Sequence, residues 1–152
     1  FGQDLYDLNV QQYCCAGLNF GYFYDQSPVM VYDEEKAPDY SMGGFTPSTV
    51  AGCRAPHFWL AEGRSLYDEL GKAYTLLCFK PGQETSVACL TEAAALAGMP
   101  LKVLEVPATV HVPPEYQHAL VMVRSDAHTV WRGRELTQKG AKDLVSVLCG
   151  MP

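Results

Sequence analysis

The chain has 152 residues, of which 48% are apolar and 18% charged, with a net charge of −6 and a pI of about 5.1. A chain of this size can bury a conventional core without disulfide staples, and its acidic balance argues against a nucleic-acid partner, which needs clustered Lys and Arg. No apolar run approaches the ~18 residues of a membrane span, and the start carries neither the basic nor the apolar region of a secretory signal. The expected setting is therefore cytoplasmic, with no membrane contact. The first residue is Phe1, which leads us to expect a piece of a longer polypeptide.

Residues 1–65 are rich in Tyr, Gly, Pro, Ser and Asp and show no amphipathic helix. Leu18–Tyr24 and Pro28–Tyr32 are β-rich and flank Asp25-Gln26-Ser27, a turn composition. Together they predict a β-hairpin. Asp33-Glu34-Glu35 reads as a solvated turn. Residues 38–56 hold six Gly and Pro breakers, leaving no room for a regular element. We expect 1–65 to be an extended arm that lies along another surface.

The remainder, 66–152, reads as a compact α/β unit. A short helical turn follows Ser65 and stops at Gly71. Tyr74–Phe79 predicts a buried strand. Thr85–Ala97 predicts a helix, because apolar residues recur at helical spacing and Gly98 and Pro100 close it. Strands follow at Leu101–Val106, Ala119–Arg124 and His128–Arg132, with a proline-rich loop after the first and a turn at Ser125–Ala127. Leu136–Leu148 is the closing helix. The order β-α-β-β-β-α predicts a thioredoxin-like α/β fold: a right-handed parallel crossover, an antiparallel strand pair and flanking helices on a mixed four-stranded sheet.

Six cysteines occur, at 14, 15, 53, 78, 89 and 149, and none forms a C-x-x-C pair. A thiol oxidoreductase needs two cysteines at a helix N-terminus, where the dipole lowers one thiol's pKa. The corresponding turn, residues 80–85, has none. All six are read as reduced thiols, with Cys14-Cys15 the one place to look for oxidation. His57, His111, His118 and His128 show no metal-ligand spacing.

Residues 52–79, GCRAPHFWLAEGRSLYDELGKAYTLLCF, resemble a segment of the phenol-hydroxylase-like aromatic hydroxylases. The matching positions are Gly52, Arg54, Pro56, His57, the stretch Ser65 to Asp68, Gly71 and the strand Thr75 to Phe79. Residues 120–133, LVMVRSDAHTVWRG, resemble the same family's strand hairpin, with Ser125 where the family usually has Pro. Residues 17–33 are similar to the segment that joins the flavin domain to this one.

The resemblance implies a C-terminal accessory domain of a flavoprotein monooxygenase that uses FAD and NAD(P)H. Its partner would be the flavin-binding domain of the parent chain, or a second copy in a homodimer. It also implies structural or interdomain roles for Arg54, Pro56, His57, Asp68, Trp131 and Arg132. Arg54 and His57 would either meet carboxylates across a domain boundary or satisfy local groups. Trp131 reads as strand core, and the alternative for Trp131-Arg132 is a cation–π or ion-pair role near the surface.

No catalytic, cofactor-binding or metal residue is expected within the chain. Both the G-x-G-x-x-G turn that opens a flavin-binding βαβ unit and the later Gly-Asp-Ala segment are missing. The alternative is a stand-alone thioredoxin-like binding protein without redox activity.

Overall fold

A computed structural model describes residues 2–13 and 15–151. Gly2–Tyr13 forms helix α1, with Leu5, Leu8 and Tyr13 all more than half exposed. A π-helical turn follows at Gly17–Gly21. The arm then runs without regular structure to a short antiparallel hairpin, β1 (Trp59–Ala61) and β2 (Arg64–Ser65). Ser65 ends β2, and its hydroxyl accepts from the Tyr67 amide to start a 3-10 turn at Tyr67–Glu69.

Next come β3 (Tyr74–Cys78), α2 (Glu84–Leu96), β4 (Leu101–Glu105), β5 (Leu120–Arg124), β6 (Thr129–Gly133) and α3 (Gln138–Leu148). The sheet order is β4-β3-β5-β6. β3 runs parallel to β4 and antiparallel to β5, and β5 is antiparallel to β6. This is the predicted mixed four-stranded sheet, with element bounds that agree to within two residues. Gly98 closes α2 at φ +68°, a conformation that disfavours any residue with a Cβ. Thr137 caps α3 by accepting from the Gly140 amide.

Side-chain alternation along the strands divides the core into two layers. Leu76, Cys78, Leu120, Met122 and Val130 face α2 and α3, where they meet Leu90, Ala93, Leu144 and Val145. Leu77, Val121 and Val123 face the other way, onto Ala55, Phe58, Leu60, Leu66 and Tyr116. Both long helices of the second half thus cover one face of the sheet. The other face is covered by residues 55–65 of the arm, by Leu66 and by the loop before β5.

The arm departs from expectation in three places. It carries a helix, α1, where none was read. Its hairpin lies at Trp59–Ser65, not at 18–32. The two β-rich runs do not pair with each other: the Tyr24 amide donates to the Gly52 carbonyl, and the Val31 amide to the Val130 carbonyl at the edge of β6. One backbone donor of each run is thus taken by a partner far along the chain. Asp33-Glu34-Glu35 is not simply a solvated turn, because Asp33 and Glu35 both bind Arg132. Cys14 lies outside the described residues.

Candidate interdomain contact surface

Gly52 starts the family-like segment, and its geometry explains the residue. It has φ +94°, and a Cβ there would sit 1.9 Å from the Tyr24 carbonyl oxygen. Only glycine allows the arm to cross itself at this point. Beyond it, the Ala55 amide donates to the Ala127 carbonyl. Two tyrosine hydroxyls then hold the next turn: Tyr67 donates to the Ala55 carbonyl and Tyr116 to the Pro56 carbonyl, both at 2.7 Å. Burial raises the Tyr116 phenol well above its ordinary pKa, so it remains a donor.

This bracing shapes an open cleft of about 450 Å³. Arg54, Pro56 and His57 line it together with Phe20, Phe45 and Tyr67. The Arg54 guanidinium lies 5.0 Å from the Tyr67 ring centre and 5.8 Å from that of Phe20, a cation–π arrangement. His57 is exposed; its Nε2 is 2.8 Å from the Ser65 hydroxyl, and its ring meets Trp59 and Tyr67 edge-on. Asp68 is exposed and does not line the cleft.

Trp131 and Arg132 are placed elsewhere. Trp131 is partly buried against the helix-side core. The Arg132 side chain is only 4% exposed. Its Nε and Nη2 donate to Asp33 at 2.6 and 3.2 Å, Nη2 also to Glu35 at 2.5 Å, and Nη1 to the Thr49 hydroxyl at 3.3 Å. It is thus a buried cation whose ion pairs tie the arm to β6. Its hydrogen bonds hold the Asp33 carboxyl below the usual carboxylate range.

Sequence reasoning passed over His128. It is fully buried under the arm, its ring 5.1 Å from that of Tyr22 and 4.9 Å from that of Tyr24. Nδ1 faces the Asp126 carbonyl at 3.1 Å, which assigns the proton there; Nε2 is buried with no partner among the described residues. Burial lowers its pKa. The only signal in the sequence was a histidine at the start of a strand, which by itself says nothing about burial.

Two of the described cysteines, Cys53 and Cys78, lie in the core. Burial raises the Cys53 thiol and pushes Cys78 up to about 11, and a protonated thiol is a poor nucleophile. Among the described residues no group of His, Cys, Asp and Glu could hold a metal ion, and no helix is long and apolar enough to cross a membrane. The start of α2 does not fit a flavin pyrophosphate. Glu84 stands in its first turn, Gln83 makes no capping bond, and the preceding turn Lys80-Pro81-Gly82 is not a glycine-rich cradle.

Exposed apolar groups are unevenly distributed. Among the described residues, those on the arm run from Leu5 in α1 through Leu18, Phe20 and Tyr22 to Met42 and Phe45. Past residue 45 the same class comprises Trp59, Leu96 and Met151.

No protein-family model matches the chain. It is 31% identical over 134 residues to the FAD-dependent monooxygenase apdD of Emericella nidulans, a match covering 85% of this chain and 22% of that protein. Phenol 2-monooxygenase of a Pseudomonas species is 28% identical over 162 residues, covering 95% of this chain and 26% of the enzyme. Among solved structures, the rebeccamycin biosynthetic enzyme RebC with reduced flavin superposes with a TM-score of 0.71 at 32% identity, over 90% of this chain and 24% of that one. By sequence and by fold, the chain matches a domain-sized portion of phenol-hydroxylase-like FAD-dependent monooxygenases, spanning about a quarter of their length.

Proposed function

We propose that the chain serves as the C-terminal, thioredoxin-like accessory domain of an FAD- and NAD(P)H-dependent aromatic hydroxylase. Its work is to brace the flavin-bearing part of the parent polypeptide; it does not hydroxylate or hold flavin by itself. Residues 66–152 form the domain proper and 1–65 the arm. Arg54, Pro56 and His57 act at the domain boundary, while Arg132 holds the arm in place for that contact.

The observation that carries this reading is the crowding of exposed apolar side chains onto residues 5–45. An apolar arm of this kind is stable when a partner surface covers it. The strand–helix–strand crossover followed by an antiparallel pair and a closing helix supports the thioredoxin-like description, without the thiol pair that redox chemistry would need.

The test is a flavin titration of the 152-residue chain beside the parent polypeptide. The parent is expected to hold FAD stoichiometrically, and the chain alone to leave the flavin's absorbance and fluorescence unchanged. Micromolar, stoichiometric binding of FAD to the chain alone would overturn the reading. A parent in which deleting residues 1–45 changes neither flavin retention nor thermal stability would also overturn it.

A further inference from the structure

Arg54 differs from the other sheltered cations of this chain. Among the described residues, the cations that are not exposed are Arg54, Lys102, Arg124 and Arg132. Lys102 holds Glu69, Arg124 holds Asp126, and Arg132 holds Asp33 and Glu35. Among the described residues Arg54 holds no carboxylate, in a chain with 17 acidic residues against 11 basic ones. Its guanidinium is stacked against Tyr67 and Phe20. Stacking covers the faces of the cation and leaves its N–H edges to donate. A half-sheltered guanidinium in apolar walls gains most from a carboxylate, which it can bind bidentately.

The walls are set before anything binds. Phe20 and Phe45 come from the arm, Pro56 from the turn held by Tyr116, and Tyr67 is tied to Ala55. The Thr49 hydroxyl donates to the Glu115 carbonyl at 2.8 Å and fixes the loop that supplies Pro113. Glu115 also lines the cleft.

The geometry points to this cleft as a socket for an acidic protein segment: an Asp or Glu flanked by apolar side chains, presented by the flavin-bearing part of the parent polypeptide, with its carboxylate on Arg54. This rests on the accessory-domain reading above. Two observations choose a protein occupant over a small acid. The cleft opens among the exposed apolar residues of the arm, including Phe20 and Phe45. The relatives also carry about three quarters of their length outside the matched region, since it covers 22% to 26% of them.

The experiment uses the polypeptide that carries residues 1–152 together with its flavin-bearing part. In an Arg54→Lys variant, a carbodiimide joins the new amine to any carboxylate in direct contact, and peptide mass spectrometry locates the bond. A cross-link from position 54 to an Asp or Glu outside residues 1–152 is expected. If native lysines cross-link to the flavin-bearing part but position 54 does not, or bonds only to Glu115, the socket is wrong and the accessory reading stands. If no lysine of residues 1–152 reaches the rest of the polypeptide, both fail.

Phenylglyoxal labelling of the unsubstituted protein gives a second measurement that needs no variant to fold. Arg54 is expected to stay unlabelled while the exposed Arg64 and Arg134 react. Labelling of Arg54 as fast as Arg134 overturns the proposal. Protection that arises only when benzoate is added would assign the cleft to a small acid and also overturn it.

Discussion

Removing the Asp33 carboxylate isolates the strongest tie between the arm and the sheet. Asp33 provides two of the four hydrogen bonds made to Arg132, from a position 99 residues away in the chain. A hydrogen bond to a charged group contributes roughly 1.5–3 kcal/mol, and stripping a buried charge of its partner costs about 3–5 kcal/mol. Two facts reduce these figures. The Asp33 side chain is 35% exposed, so water screens it, and Glu35 and Thr49 still bind the guanidinium in its absence. Asp33→Ala is therefore expected to destabilise by about 2 kcal/mol. For a chain of this size that is a Tm lower by roughly 4–8 °C. Glu35→Ala removes a side chain that is 65% exposed and should cost about 0.5 kcal/mol or less. Arg132→Met should fall between the two, because the carboxylates it frees can rehydrate. Urea denaturation followed by far-ultraviolet circular dichroism measures all three. The pH dependence supplies a check on the cause. The folded pKa of Asp33 lies below its ordinary value of 3.8, so its contribution is present above that pH and is lost as pH falls below it. The gap between wild type and Asp33→Ala should close in the same range. An Asp33→Ala protein of wild-type stability at pH 7, or one less stable than Arg132→Met by nothing at all, would refute the reasoning.

Gly52→Ala forces a left-handed backbone and a Cβ into the Tyr24 carbonyl; a loss of about 3 kcal/mol or more, or failure to fold, is expected in thermal melts. Tyr116→Phe leaves the Pro56 carbonyl without its donor inside the core and should cost about 1–3 kcal/mol in urea. Tyr67→Phe, at a half-buried site, should cost less, and the reverse ranking would sink the account of how the turn is braced. His128 is neutral when folded because burial lowers its pKa below 6.5. The unfolded chain therefore binds more protons as pH drops below about 6.5, and stability falls there. His128→Phe should flatten that part of the pH profile, and an unchanged slope would assign it to another group such as His118.

The strands and helices of the second half were legible because their signals are local. Period-two and period-3.6 patterns, with Gly98 and Pro100 after α2, all act within a few residues. The family-like residues Arg54, Pro56 and His57 were also legible, and the structure gathers them on one cleft. The arm was not. Leu18–Tyr24 and Pro28–Tyr32 have strand composition, but composition only says that backbone donors need partners, not which ones. Gly52 and Val130 take one donor from each run, and the two runs do not pair with each other. In the same way, Asp33-Glu34-Glu35 looks like any exposed acidic turn until β6 brings Arg132 beneath it.

The sequence by itself determined the order of elements in residues 66–152, the mixed sheet and the resemblance to flavoprotein monooxygenases, because these rest on short-range periodicity and on contiguous motifs. Only the tertiary structure decided that both helices cover one face, that the arm and the loop before β5 cover the other, that His128 lies buried beneath two tyrosines, and that Arg54 is, among the described residues, the sheltered cation without a carboxylate. Burial and pairing depend on groups far apart in the chain, and those distances come into being only when the sheet and the arm pack together.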